Sequence, residues 1–267
     1  MRRITLLLLL LAGCASAPVV PNLDHLRLVD LTHAFDESTI YWPTSPSQFE
    51  IRTLHHGPTD AGFFYSSKSF CTPEHGGTHL DAPIHFAEGR WTTEQIPLER
   101  LVRPAVVIDA SPQALQERDY RLTADDVRGW ERVHGEVPRG AIVLLRTGWS
   151  ARWPDRLAYL GDDTPGDASN LHFPSFGESA ARLLVEERGV AMLGVDTASI
   201  DHGPSADFVV HRIANGANVP ALENLTNLGE LPPRGALVVA LPMKIAGGSG
   251  GPVRVIALID PRDPASW

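Results

Sequence analysis

The chain has 267 residues, 43% of them apolar and 21% charged, an ordinary composition for a folded globular protein of one or two domains. Lysine and arginine total 23 against 32 aspartates and glutamates, so the formal net charge is −9. An acidic chain without a basic cluster is poorly suited to neutralising phosphates, and we expect no nucleic-acid partner.

The N-terminus has the pattern of a bacterial lipoprotein signal. Two arginines precede the apolar run Leu6–Leu11, which is too short to cross a bilayer. Leu-Ala-Gly-Cys, ending at Cys14, resembles the lipobox, where the chain is cleaved before a cysteine that receives a lipid. We expect residues 1–13 to be a signal peptide, Cys14 the lipidation site and residues 14–23 a tether. The protein would then be anchored through its lipid to a membrane of the bacterial cell envelope. An ordinary signal cleavage nearby, with the cysteine incidental, is the alternative.

Residues 24–267 are expected to form a single domain, because no linker, repeat or low-complexity tract interrupts them. Five short apolar runs rich in β-branched residues have the length of buried strands. They are residues 105–108, 141–145, 190–195, 236–241 and 253–259. Helical patterns between these runs favour the α/β class with a mixed sheet.

Three segments carry helix signals. Thr123, followed by acidic residues, is typical of a capped helix start. Ser175 and Glu178 have the spacing of a capping box, which predicts a helix over residues 175–188. A third helix is predicted over residues 207–214.

The segment from His75 to His85 has the composition of a metal site. It places three imidazoles and one carboxylate, ligands that zinc, manganese and iron accept, close together in the chain. Two glycines weaken a helix here and Pro83 would break one, while a straight strand would spread the side chains over about 33 Å. We therefore expect a bent strand or loop that brings the imidazoles and the Asp81 carboxylate together.

Two residues further along are candidates for additional ligands. His211 lies in a short predicted helix with apolar neighbours. Glu223 lies in an otherwise apolar stretch, where an unpaired carboxylate would be costly. The alternatives are a surface histidine and an exposed or helix-capping glutamate, and the residues taken alone favour these alternatives.

Two other features are expected to support the site. The glycine-rich run at residues 247–251 lies between two predicted strands and lacks the Lys-Ser/Thr pair of a phosphate loop, so it predicts a close backbone approach to the site. Asp196 and Asp201 are expected to cap chain ends and to orient the ligand histidines, rather than to bind metal themselves.

Taken together, the motifs resemble those of the metal-dependent cyclase family, which includes bacterial kynurenine formamidases (arylformamidases) and isatin hydrolases. The resemblance spans residues 28–259 and implies a swivelling β/β/α fold that is often dimeric, so we expect a homodimer. The motifs are His75-x-Gly-Thr-His79-x-Asp81-x-Pro-x-His85, residues 194–201, and His211 with Glu223.

The resemblance implies a role for each candidate ligand. His75, His79 and Asp81 would hold a first metal ion. In formamidase-like members Asp81 would bridge to a second ion held with His211 and Glu223. Isatin-hydrolase-like members are similar but have one manganese and a different downstream ligand set. We expect two zinc ions here, with manganese as the alternative.

The resemblance also implies a metal-dependent hydrolase. His85 is at the position of the family's proton donor and acceptor, and Trp42 is where formamidases carry a tryptophan that lines the substrate pocket. Core packing is the alternative for Trp42. The expected substrate is a small aromatic amide, and the expected reaction is of the arylformamidase type, N-formylkynurenine to kynurenine and formate.

Two alternatives to this function stay open. The first is hydrolysis of isatin or another cyclic amide. The second is of another class, an envelope lipoprotein that binds metal or a small ligand without turnover. His85 argues against the second, because a binding protein needs ligands but no proton donor and acceptor.

Overall fold

The structure, a computed structural model, describes residues 23–262. The predicted signal peptide, Cys14 and the predicted tether up to residue 22 lie outside the described residues. Within residues 23–262, no helix combines the length and the apolar character needed to cross a bilayer.

The described chain forms strands and helices that alternate in its second half. The strands are β1 (Arg27–Asp30), β2 (Glu50–Pro58), β3 (Phe64–Cys71), β4 (His79–Asp81), β5 (Val102–Asp109), β6 (Arg121–Leu122), β7 (Ile142–Arg146), β8 (Ser175–Phe176), β9 (Met192–Val195), β10 (Ala221–Glu223), β11 (Ala236–Pro242) and β12 (Gly250–Ile259). The α-helices are α1 (Leu98–Leu101), α2 (Ser111–Gln116), α3 (Ala124–His134), α4 (Arg156–Leu160), α5 (Glu178–Arg182), continued by a π-helical turn (Leu183–Arg188), and α6 (Val209–Gly216). All five predicted strands are confirmed, as β5, β7, β9, β11 and β12.

Eight strands form one mixed sheet in the order β1-β12-β11-β5-β7-β9-β10-β4. Strands β5, β7, β9 and β10 are parallel, and the remaining pairs are antiparallel. Strand β4 also pairs with the start of β12, so the sheet closes into a barrel-like arrangement. The short strand β4 therefore lies between β10 and β12, where both neighbours can contribute to a site.

The two faces of this sheet carry separate apolar cores. Leu80 of β4 and Leu222 of β10 pack in the first core, which is built almost entirely from strands and the loops between them. Ala221 packs in the second core, together with residues of α3, α5 and α6. Because side chains alternate along a strand, His79 and Asp81 point away from the first core and towards the helical side.

One predicted helix start is confirmed and another is wrong. Helix α3 begins after Thr123, whose hydroxyl accepts from the backbone N–H of Asp126 while the Asp126 carboxylate accepts from the Thr123 backbone N–H. Ser175, in contrast, belongs to strand β8, and its hydroxyl donates to the Ser199 carbonyl. The predicted capping box with Glu178 is therefore absent, because pairing with β6 holds Ser175 in an extended conformation.

The third predicted helix is present with shifted bounds. Helix α6 spans Val209–Gly216 instead of residues 207–214. Asp201 accepts from the backbone N–H groups of Val210 and His211 at its first turn. This contact ties the start of α6 to the loop that follows β9.

The hairpin of β2 and β3 was not predicted. Its two strands pair with each other and, among residues 23–262, with no strand of the eight-stranded sheet. Several of its large apolar side chains are exposed, among them Ile51, Leu54, Phe64 and Phe70. With solvent on both sides, the hairpin lacks the alternation of apolar and polar residues that signals a half-buried strand.

Candidate metal centre and active site

The candidate ligands meet where β4 lies beside β10 and α6. His79 and Asp81 are two residues apart on β4 and so share a face. Glu223 of β10 is the direct cross-strand partner of His79. His211 approaches the same point from the first turn of α6. Strand pairing and one helix therefore bring together residues that are far apart in the sequence.

His75, His79 and Asp81 form a first ligand group, in which one donor atom from each residue lies within 4.8 Å of the others. The Asp81 Oδ1 atom is 2.6 Å from Nδ1 of His75 and 3.1 Å from Nε2 of His79. His79 and Asp81 are buried, whereas His75 is half-buried. The predicted gathering of these side chains round one point is confirmed for this group.

Asp81, His211 and Glu223 form a second ligand group under the same 4.8 Å distance. The Nε2 atom of His211 is 3.1 Å from Asp81 Oδ2 and 3.2 Å from Glu223 Oε1. All three side chains are buried. Asp81 thus presents one oxygen to each group, the arrangement that a bridging carboxylate requires.

Hydrogen bonds on the far side of the ligands fix their orientation. His79 Nδ1 lies 3.0 Å from the Gly77 carbonyl, and this leaves Nε2 directed at Asp81. His211 Nδ1 lies 2.7 Å from Asp201 Oδ2, which is the orienting role expected of that aspartate. Glu223 Oε1 accepts from the backbone N–H of Ile200 at 2.8 Å.

The directions of the pKa shifts follow from burial and from the opposite charges that meet in this cluster. Burial would raise the pKa of Asp81, but the imidazoles around it, above all His79, hold that pKa well below its usual range. Burial and the charge of Asp81 both raise the pKa of Glu223. Burial would lower the pKa of His79, but attraction to Asp81 outweighs it and raises the pKa to about 9. Buried carboxylates in this cluster therefore require compensating positive charge.

The donor set fits a divalent metal ion. Imidazole nitrogens and carboxylate oxygens are ligands of zinc and manganese, and here three carboxylates, Asp81, Glu223 and Asp201, surround two buried histidines. A cation bound by such groups takes the place of the protons that the imidazoles otherwise hold. Each of the two groups supplies three donors, which leaves coordination positions for water or substrate.

His85 lies beside the ligand groups and belongs to neither. Its ring stacks on that of His75, with centroids 3.8 Å apart and planes 17° apart, and it lines the same cavity as the ligands. Burial lowers the pKa of His85 to about 4, so the imidazole is neutral at neutral pH. The imidazole therefore lies close to both ligand groups without being part of either, and the proton-transfer role that the family resemblance implies for it stays a prediction.

A cavity of about 390 Å³ opens onto the site. Trp42, Phe86 and Phe208 form aromatic walls, and the rings of Trp42 and Phe86 lie 6.3 and 5.2 Å from that of Phe208. Trp42 therefore faces the cavity as expected, and it also packs against Phe173 of a small apolar cluster. Both alternatives considered for Trp42 describe part of its environment.

Four residues near the site were missed from the sequence. Phe86 directly follows His85, and Phe208 lies one helical turn before His211, so each had a positional signal. Glu74 and Ser249 contact each other beside His75, where Ser249 Oγ is 2.9 Å from Nε2 of that histidine. They are distant in sequence and only the folded chain brings them together.

Comparisons with known proteins agree with this architecture. The Cyclase family model matches residues 29–202. An isatin hydrolase of Roseibium aggregatum is 34% identical over 218 residues, which cover 79% of this chain and 81% of the relative. A kynurenine formamidase of Salinibacter ruber is 28% identical over 239 residues, which cover 90% of this chain and 100% of the relative.

Solved structures show the same likeness. The chain is similar to isatin hydrolase A from Ralstonia solanacearum, with a TM-score of 0.81, 36% identity and coverage of 91% of this chain and 100% of that chain. It is also similar to a predicted metal-dependent hydrolase from Bacillus stearothermophilus, with a TM-score of 0.63, 27% identity and coverage of 88% and 98%. The cyclase-type β/β/α fold that the resemblance implied is thereby confirmed, as are the α/β class, the mixed sheet and the single domain that the residue pattern predicted.

Proposed function

The chain belongs to the cyclase family and is a hydrolase, and from this premise we propose that it hydrolyses amides whose nitrogen is attached to an aromatic ring. The observation that carries the proposal is the cavity of about 390 Å³, which has three aromatic walls and ends at both ligand groups and at His85. An aromatic substrate of one or two rings suits such walls.

Two compounds of this class are candidate substrates. Likeness to isatin hydrolases in both sequence and structure favours a cyclic amide, and we place isatin first. The family resemblance led us to expect the arylformamidase type, and Trp42 at the cavity wall supports it, so N-formylkynurenine is the second candidate.

The proposed metal content follows from the two ligand groups. His75, His79 and Asp81 would hold one divalent ion, and Asp81 with His211 and Glu223 would hold a second. We propose zinc in both, with manganese as the alternative. When bound, such ions supply Lewis acidity that polarises a carbonyl group and makes water easier to deprotonate.

The protein's own contribution to the chemistry centres on His85. Amide hydrolysis breaks the carbonyl C–N bond, adds the hydroxyl of water to the carbonyl carbon and returns a proton to the nitrogen. An arylamine leaves poorly as an anion, so that proton must arrive as the bond breaks. His85 is free of the ligand groups and faces the cavity, and we assign it the transfer of the proton from water to nitrogen.

Elemental analysis and absorbance assays test this function. Purified protein loaded with zinc or manganese is expected to hold up to two ions per chain and to hydrolyse isatin faster than N-formylkynurenine. His85→Ala should keep its metal and lose about 10²- to 10⁴-fold in kcat, the usual contribution of general acid–base catalysis. His134→Ala, which alters a histidine of α3 that does not line the cavity, is the matched control and should keep wild-type kcat and metal content.

Two outcomes contradict the proposal. Metal-loaded protein that hydrolyses neither isatin, N-formylkynurenine nor related aryl amides has a different substrate class. A wild-type kcat in His85→Ala would contradict the proton transfer assigned to His85, but it would not contradict the two proposed ligand groups.

We propose a homodimer, as the family resemblance implies, with hairpin β2–β3 packed on the second copy. Two-stranded hairpins are marginally stable alone in water, and exposed apolar side chains such as Phe64 and Phe70 favour burial. Light scattering should give twice the chain mass, and Phe70→Asp should shift it towards the monomer. A monomeric wild type contradicts the proposal.

We also propose that the mature protein is lipid-anchored in the cell envelope through Cys14. The support is the lipobox-like sequence before that cysteine. In fractionated cells, Cys14→Ser should move the protein from the membrane to the soluble fraction. A variant that remains membrane-bound and processed as before contradicts the anchor.

A further inference from the structure

We propose that Ser249 and Glu74 form a hydrogen-bonded relay that fixes the ring orientation and tautomer of His75, so that His75 presents Nδ1 to the metal ion. The inference rests on the metal site proposed above, and it makes Ser249 and Glu74 positioning residues.

The two ring nitrogens of His75 face different partners. Nδ1 lies 2.6 Å from Asp81 Oδ1 and so belongs to the ligand group. Nε2 lies on the other side of the ring, 2.9 Å from Ser249 Oγ. If Nδ1 is the ligand atom, Nε2 must carry the proton of the neutral imidazole.

The contacts of Ser249 supply the acceptor that this tautomer needs. The Ser249 hydroxyl donates to Glu74 Oε2 at 2.5 Å, and the Ser249 backbone N–H donates to the same oxygen at 3.0 Å. A carboxylate only accepts, and a hydroxyl has one proton. Because that proton is committed to Glu74, the hydroxyl has only lone pairs for His75. Nε2 therefore donates, and when a metal ion takes the place of the proton between Nδ1 and Asp81 Oδ1, the Nδ1 lone pair is the one that binds it.

The backbone around Ser249 is built for this contact. A Cβ atom on Gly250 would lie 2.7 Å from Cε1 of His75, and one on Gly248 would lie 2.8 Å from Oε1 of Glu74. Thr93 holds the loop in place, since its backbone N–H and its hydroxyl both donate to the Gly248 carbonyl. The glycines thus permit the close backbone approach to the site that the sequence predicted for residues 247–251. This approach brings Ser249 within hydrogen-bonding distance of His75 and Glu74.

An orienting contact matters more for His75 than for the other two ligand histidines. The side chain of His75 is 26% exposed, against 4% for both His79 and His211. Packing holds the two buried rings, and their orienting contacts are a carbonyl and a carboxylate. A partly exposed ring has more freedom to turn than a buried one, so a fixed acceptor matters more for His75.

The zinc affinities of wild type and variants test the relay, and they require no knowledge of the substrate. Competition with a chromogenic chelator should show zinc binding at the first ligand group about 10- to 100-fold weaker in Ser249→Ala, the range found when an outer contact of a ligand is lost. Glu74→Ala should weaken it in the same direction, because the freed hydroxyl can then donate to Nε2.

A second measurement reports the tautomer itself. In zinc-loaded protein with ¹⁵N-labelled histidine, wild type should show a His75 Nε2–H signal protected from solvent exchange, and Ser249→Ala should lose that protection. The matched control is Ser111→Ala, since Ser111 donates its hydroxyl and its N–H to Asp109 in the same way but away from the site. The control should keep wild-type affinity and the protected signal.

The outcomes separate this inference from the proposed function. Unchanged zinc affinity and an unchanged Nε2–H signal in Ser249→Ala overturn the relay. A protein that binds zinc as described but hydrolyses no aryl amide contradicts the function and leaves the relay standing. After a chelator has removed the metal, the melting temperatures of the variants should stay within about 2 °C of wild type. Such a result would mean that a loss of zinc affinity is not caused by unfolding.

Discussion

The two ligand groups share Asp81 but are assembled in different ways. The first lies within residues 75–81, and its member His75 is half-buried and lines the cavity. The second joins β4, α6 and β10, and all its members are buried. Chain connectivity keeps the first group together, whereas the second forms only when the sheet and α6 have packed.

The contacts that orient the histidines also differ between the two groups. His211 of the buried group is held by the carboxylate of Asp201, whose charge is strong in a low-dielectric interior. His75 of the outer group is held by a hydroxyl that passes the contact on to Glu74. In the proposed metal centre, burial and charge would therefore hold the second group, whereas the half-buried member of the first group, His75, would depend on a loop.

The largest effect is expected from Asp81→Asn, which removes the residue common to both groups. A neutral amide is a poor ligand, so both ions should be lost and hydrolysis should fall to background. The loss of metal affinity should exceed the roughly 100-fold upper limit typical of outer contacts. Elemental analysis after dialysis is the measurement, and Asp125→Asn, an exposed carboxylate of α3, is the control. A variant that still holds two ions per chain would show that Asp81 does not bridge.

Intermediate effects are expected when only one group is altered. Glu223→Gln should leave one ion per chain, bound by the first group. His75→Ala should leave one ion bound by the second group. Elemental analysis and calorimetric titration measure both. If either substitution releases both ions, the two groups form one cooperative unit and the distinction between them fails.

The smallest effect is expected from Asp201→Asn, which alters an orienting contact without removing a ligand. Asparagine keeps an oxygen for the backbone N–H of Val210 or His211 but loses the charge beside Nδ1. Zinc affinity at the second group should fall about 10- to 100-fold, with the first group unchanged. Competition titrations of Asp201→Asn and Ser249→Ala should be run side by side. The first substitution should weaken zinc binding at the second group, and the second substitution should weaken it at the first group. A loss at both groups in either variant would mean that the orienting contacts are shared.

Strands and helix starts could be predicted from the sequence where neighbouring residues alone determine them. The five buried strands were predicted because each is a continuous apolar run, and α3 because Thr123 and Asp126 satisfy each other across its first turn. Ser175 had the same spacing to Glu178, yet the ladder between β6 and β8 decided its conformation. Local capping energies of about 1 kcal/mol are readily outweighed by strand pairing and burial.

The hairpin of β2 and β3 was missed for a different reason. Its residues face solvent on both sides in the single chain, so no apolar periodicity distinguishes them from a loop. Its two strands are identified by their pairing with each other, with Glu50 opposite Cys71 at one end and Pro58 opposite Phe64 at the other. Pairing of this kind is a property of the folded backbone.

Residues close in the chain already indicated the chemistry of the site, because His75, His79, Asp81 and His85 are near neighbours and the glycines beside them allow the bend. The sequence also nominated His211 and Glu223, but only through family resemblance. The tertiary structure decided that these two meet Asp81, through the pairing of β10 with β4 and the docking of α6. It alone placed Glu74, Ser249, Phe86 and Phe208 around the site. Contacts between distant residues depend on the sum of many weak interactions across the whole chain, and no local pattern encodes that sum.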